Sequence, residues 1–139
     1  MQWTQDEYLI TDDRASVQVD FLYQLLSTTY WSHKRPLDVI ETMVDNSLCF
    51  SLYHDGDQIG FARAITDSIT LSWLADIVIE SKYQGKGLGK WLMECILEHP
   101  SVKGTQIVLQ TLDAQGLYQK FGFSTSDALM STSVDYLRD

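Results

Sequence analysis

Between residues 83 and 93 the sequence reads YQGKGLGKWLM, three glycines and three charged or amide side chains set between an apolar run and a helical apolar pattern. Such a stretch can hold an anion. At a helix start several backbone N–H groups lack intrahelical acceptors and carry the positive end of the helix dipole. Glycine lets a ligand approach that backbone with no Cβ in the way. Gly85, Gly87 and Gly89 therefore suit a phosphate or pyrophosphate, with Lys82, Lys86 and Lys90 adding positive charge around it. Two familiar phosphate motifs do not fit. A Walker A loop needs Ser or Thr where Trp91 stands, and a dinucleotide GxGxxG read from Gly85 needs glycine at Lys90. No His, Cys or acidic residues have metal-ligand spacing, so no metal is expected. Cys49 and Cys95, each inside an apolar pattern, read as buried small hydrophobes.

Periodicity predicts the elements that must position this loop. Residues 71–80 (LSWLADIVIE) form a long, largely buried strand ending just before it, interrupted by Asp76. After the loop, Leu88, Trp91, Leu92, Cys95 and Ile96 share one helical face, and that helix must stop before Pro100. Upstream, residues 8–10 suit a short strand. Phe21, Leu22, Leu25 and Leu26 mark a first helix. Pro36 opens a second, with Leu37, Ile40, Met43 and Val44 at helical spacing. Between these helices residues 28–35 (TTYWSHKR) form a loop of unusual aromatic content. Residues 48–53 alternate, Asp55-Gly56 supplies a tight turn, residues 59–65 return, and Asp67-Ser68 turns the chain again. Downstream come a buried strand at 107–109, a short helix at 115–120 closed by Gly122, and a terminal strand or hairpin from Phe123. The pattern is mixed α/β: early helices, an antiparallel meander, then a β-α-β crossover.

A chain of 139 residues with 45% hydrophobic content can bury one substantial core, so a single domain over 1–139 is expected. A formal net charge of −9 without any basic run argues against nucleic acid or an anionic membrane as partner. No leader-like N-terminal pattern and no long apolar window are present, which predicts a cytoplasmic protein. Oligomeric state stays open, a homodimer included.

Gln84-x-x-Gly87-x-Gly89, placed after a strand ending Ile77-Val78-Ile79, resembles the Q/R-x-x-G-x-G/A signature of the GNAT superfamily of N-acetyltransferases. A second stretch from Ala114 through Tyr118 to Gly122-Phe123 is similar to that family's later A-x-x-x-Y-x-x-x-G-F segment. The resemblance covers about residues 71–123. It implies an α/β (α+β mixed) fold: a GNAT-type central, mostly antiparallel sheet with a β-α-β crossover and helices on both faces. It also implies acetyl-CoA as co-substrate. The loop of Gln84, Gly85, Lys86, Gly87, Leu88, Gly89 and Lys90 would hold the pyrophosphate. The main chain of Ile77, Val78 and Ile79 would line the pantetheine, with Thr111, Ala114 and Tyr118 beside it. Two departures stand out: Thr111 replaces an Asn that many members carry, and Ser81 stands where proline is frequent.

The implied reaction is direct attack of an amine on the thioester. By the motif match, Tyr118 donates a proton to the leaving thiolate. Asp76 is the first choice of base, because burial in an apolar strand raises a carboxylate's pKa. Glu80 and His33 are weaker choices, and a structural, hydrogen-bonded Asp76 is an equal reading. His54 and His99 read as solvent-facing. The 28–35 loop is expected to cover the acceptor, with Tyr30 and Trp31 packing on it and Arg35 holding a carboxylate. The expected function is acetylation of a primary amine on a small molecule or amino-acid-like acceptor. Protein or peptide N-acetylation and a non-catalytic acyl-CoA-binding module are the alternatives. A nucleoside triphosphate binder lacks the hydroxyl that would hold magnesium.

Overall fold

The computed structural model describes residues 1–132. Six strands form one sheet in sequence order: β1 (Gln2–Gln5), β2 (Tyr8–Thr11), β3 (Leu48–His54), β4 (Asp57–Thr66), β5 (Leu71–Ile79) and β6 (Gln106–Val108). Neighbours pair antiparallel through β5, and β6 joins parallel to β5 after the crossover helix. The helices are α1 (Val19–Leu26), α2 (Leu37–Asp45), α3 (Leu88–Glu98) and α4 (Gln115–Gln119). Pro36 precedes α2, where its missing N–H costs nothing.

Period-2 alternation sends strand side chains to opposite faces, and each face has its own core. Leu88, Leu92, Met93, Cys95 and Ile96 of α3 pack against Phe50, Leu52, Ala62, Ala64 and Leu74. On the other face Leu22 and Leu26 of α1 and Ile40 and Val44 of α2 pack against Cys49 and Phe61. Helices therefore cover both faces, as the GNAT resemblance implies. The β4–β5 turn is fastened by Asp67, whose Oδ1 accepts from the N–H groups of Ile69, Thr70 and Leu71. The Thr70 hydroxyl, followed by those backbone donors, holds the Asp67 carboxyl well below the usual carboxylate range.

Three expectations change. β1 was not anticipated: Gln2, Thr4 and Gln5 are polar because it is a sheet edge with little to bury. From Phe123 to residue 132 no strand forms, and the rest of the expected terminal hairpin lies outside the described residues. His99 is buried rather than solvent-facing, with Nε2 2.8 Å from Asp12 Oδ2 and its ring edge-on to Phe50. A helix-end position before a proline looks exposed in sequence, but β2 brings Asp12 there.

Candidate active site

Two features of β5 open the sheet. Arg63 pairs with Ala75 and Phe61 with Val78, so β5 carries one residue more than β4 between these rungs. The bulge falls at Asp76, which holds a left-handed φ of 54°, an uncommon backbone for a residue other than glycine. On its other edge β5 pairs with β6 only from Leu71 to Trp73. Beyond Trp73 and Val108 the strands part, and among the described residues no strand covers the β5 edge from Leu74 to Ile79. A cleft of about 1490 Å³ enters this gap. Its walls include Val39, Met43 and Arg63 from the α1–α2 side and Leu97, Phe121 and Phe123 from the α3 side.

Of the residues singled out in the sequence, Tyr30, Trp31, Arg35, Asp76, Ile77, Thr111 and Ala114 all line this cleft. Val78 and Ile79 continue the open edge toward the glycine loop without lining it. Glu80 and His33 do not line it either. Asp76, its side chain only 1% exposed, is gripped by three donors from two other segments. Arg35 Nη1 and Arg63 Nε donate to Oδ2 at 2.8 and 2.6 Å, and Trp31 Nε1 donates to Oδ1 at 3.2 Å. Arg63 also reaches Ser47 Oγ at 3.2 Å. This arrangement matches the structural, hydrogen-bonded reading of Asp76.

Arg63 went unremarked in the sequence. A signal was there: it and Asp76 are opposite charges, each interrupting an apolar run, in strands joined by a tight turn.

The loop between helices crosses to the far wall. Tyr30 Oη accepts from Leu112 N–H at 3.3 Å, and its ring stands edge-on to Trp31, centroids 5.0 Å apart. Thr111, in the Asn position, turns its hydroxyl inward to accept from Ala114 N–H at 3.1 Å, fastening the start of α4. Tyr118 packs at 6.0 Å against Phe123 behind this wall and makes no hydrogen bond through its hydroxyl among the described residues. Burial pushes its phenol above the ordinary value of 10.0, and Asp113 and Tyr30 add to the rise.

The glycine loop lies at the other end of the open edge. Gly85 and Gly87 have φ of 79° and 80°, so both need glycine's conformational freedom. No side chain caps the α3 N-terminus, and a Cβ at Gly85, Gly87 or Gly89 would meet nothing within 4 Å. Uncapped N–H groups beside open space fit an incoming pyrophosphate. Lys86 and Lys90 are exposed beside it, while Lys82 is drawn to Glu80 at 3.5 Å. Gln84 Nε2 donates to Ile79 O at 3.0 Å, tying the loop to the end of β5. Among the described residues no cluster of His, Cys, Asp or Glu could hold a metal, and no helix is long and apolar enough to cross a membrane.

A glycine loop at an uncapped helix start, an open strand edge and a cleft beside it together mark an α/β protein of mixed sheet with helices on both faces. A family model described as "Acetyltransferase (GNAT) domain" matches residues 45–125, and the chain belongs to that family. A candidate acetyltransferase from Gibberella zeae is 29% identical over 142 residues, covering 85% of this chain and 79% of the relative. The spermine/spermidine N(1)-acetyltransferase of Bacillus subtilis is 33% identical over 91 residues, 56% of this chain and 60% of that enzyme. A solved structure of a candidate GNAT-family acetyltransferase from Xanthomonas campestris superposes with a TM-score of 0.88 at 32% identity, covering 94% and 95% of the two chains.

Proposed function

We propose that this chain is a single-domain, acetyl-CoA-dependent N-acetyltransferase that acts on a primary amine of a small molecule. The observation that carries the reading is the continuous edge from the bulge at Asp76 to the uncapped α3 start, with the Gln84-x-x-Gly87-x-Gly89 loop at its end. Acetyl-CoA, when bound, supplies an activated acetyl group on a thioester. The chain contributes position and proton control. Backbone N–H groups of the loop bind the pyrophosphate, and the β5 edge through Ile77, Val78 and Ile79 orients the arm, turning a collision into an aligned encounter. Tyr118 keeps its proton at neutral pH and donates it toward the leaving sulfur. Thr111, engaged with Ala114, shapes the α4 turn rather than reaching for the arm as an Asn would.

Asp76 takes the role of organiser: it holds Trp31 and Arg35 of the acceptor loop against the bulge. The aromatic wall of Tyr30, Trp31 and Trp73 receives the acceptor. The strap from Tyr30 to Leu112 narrows the cleft, which favours a small molecule over a peptide chain. Spermine and spermidine, named for the Bacillus subtilis relative, belong in the first acceptor panel beside amino acids and simple alkylamines.

The test is release of free thiol from acetyl-CoA across that panel, followed with a thiol reagent. At least one small amine is expected to give saturable turnover. A chain that neither binds acetyl-CoA nor releases thiol with any amine would overturn the proposal. The protein's own thiols will not interfere: burial pushes Cys49 and Cys95 up to about 11. Native protein is expected to give no labelling on the assay timescale, and denatured protein two thiols per chain.

A further inference from the structure

Four residues, 84–87, separate the 3-10 turn at Ser81–Tyr83 from α3, and two of them are glycines in left-handed backbone. Glycine loses more conformational freedom on ordering than any other residue, so a loop that binds through its amides gains from being held at both ends. The far end is held by α3, where Trp91 N–H donates to Gly87 O at 3.1 Å. The near end is held by the adjoining ends of β2 and β3. Tyr83 Oη lies 2.9 Å from His54 Nδ1, and the Tyr83 ring stands against the rings of His54 and Tyr8 at 5.3 and 6.5 Å. Tyr8 and His54 are register partners on β2 and β3, with rings 5.0 Å apart, so the contact reports the position of two paired strands. His54 Nε2 faces the carboxylates of Glu7 and Asp55, each at 3.5 Å. A proton on Nε2 suits those neighbours and leaves Nδ1 to accept from the Tyr83 hydroxyl.

None of Tyr8, His54 and Tyr83 lines the cleft, so the transfer chemistry does not explain why a tyrosine directly before Gln84 should be bonded to a histidine on β3. We propose that Tyr83 is a positioning residue for the acyl donor's pyrophosphate, its hydroxyl anchored by His54 so that the loop amides are set before the ligand arrives. The inference rests on the acetyltransferase reading above. It separates two parts of the donor. The anchor acts on the pyrophosphate end and leaves the thioester end alone, because the bulge and Tyr118 belong to other elements.

Pantetheine carries the thiol arm without the pyrophosphate, so calorimetric titration with coenzyme A and with pantetheine isolates the effect. Tyr83→Phe keeps the ring and removes only the hydroxyl. It is expected to weaken coenzyme A binding roughly five-fold, the scale of one hydrogen bond, while pantetheine affinity and kcat at saturating acetyl-CoA stay within two-fold. His54→Leu, at a strand end where the side chain is 25% exposed, should give the same selective loss, and the double variant should be no weaker than either single one. Equal weakening of both ligands would overturn the anchor, since general loosening makes no such distinction. Unchanged coenzyme A affinity in both variants, with the wild-type preference for coenzyme A over pantetheine intact, would overturn it too. A wild-type chain that binds coenzyme A no better than pantetheine would instead overturn the phosphate-loop assignment on which the inference stands.

Discussion

Replacing Tyr118 by Phe is expected to lower kcat by roughly 10² while leaving acetyl-CoA affinity within a few-fold of wild type. The ring is what packs, at 6.0 Å from Phe123, and Phe keeps that contact. The hydroxyl makes no hydrogen bond within the described residues, so its removal leaves no protein group unsatisfied and stability should change little. The loss should therefore fall on the chemical step, where a thiolate must leave with a proton or a hydrogen bond. Direction of the phenol's pKa sharpens the test. Burial and the neighbouring Asp113 hold it above 10.0, so the donor stays protonated through the neutral range. An alkylammonium acceptor with a pKa near 10.4 gains reactive free base as pH rises. The wild-type rate is expected to climb with pH and turn down only above about 10; Tyr118→Phe should keep the climb and lose the downturn. Equal kcat in the two proteins would remove Tyr118 from the mechanism.

The parts of this site that were legible in sequence are those whose chemistry is local. A glycine loop between a strand and an amphipathic helix is written in consecutive residues, and so is the α4 segment ending at Gly122-Phe123. The glycine loop and the α4 segment could thus be placed without coordinates, and the roles proposed for them follow from those local patterns. The organisation of the acceptor side is non-local. Asp76 looked like a buried acid in an apolar strand, and burial alone argued for a base. The structural, hydrogen-bonded alternative depends on a register slip: one extra residue in β5 opposite Ala62 turns the carboxylate toward Arg63 on β4 and toward the 28–35 loop. Nothing in the spacing of residues 71–80 announces that slip, because the apolar run is nearly continuous and alternation cannot mark which residue is the surplus one. His99 failed for a related reason. Its partner Asp12 is 87 positions away, brought near by the sheet and by no local pattern.

Asp76 is where the second large effect is expected. Asp76→Ala would remove the carboxylate that accepts from two guanidiniums and an indole N–H, in a site where the Arg35 and Arg63 side chains are only 9% and 15% exposed. Breaking a buried charge cluster by removing one member costs on the order of 3–5 kcal/mol, because the remaining charges lose a compensating carboxylate. For a chain of this size that corresponds to a fall in Tm of roughly 10–15 °C, measurable by thermal unfolding. Asp76→Asn is the more informative change. Asn tolerates the left-handed backbone and keeps one acceptor oxygen, so the bulge should survive with a smaller loss of stability. If Asp76 organises the acceptor loop, Asn should raise KM for the amine several-fold, through a loosened Trp31 and Arg35, with KM for acetyl-CoA steady and kcat reduced by less than ten-fold. If Asp76 were instead the base, Asn should cost roughly 10²–10⁴ in kcat, the contribution of general base catalysis, and should abolish the acidic limb of the pH profile. Steady-state kinetics across pH separates the two outcomes. The geometry favours the first, since Oδ1 and Oδ2 already accept from three fixed donors, and an amine seeking a proton acceptor would have to compete with Arg35, Arg63 and Trp31 for the same two oxygens.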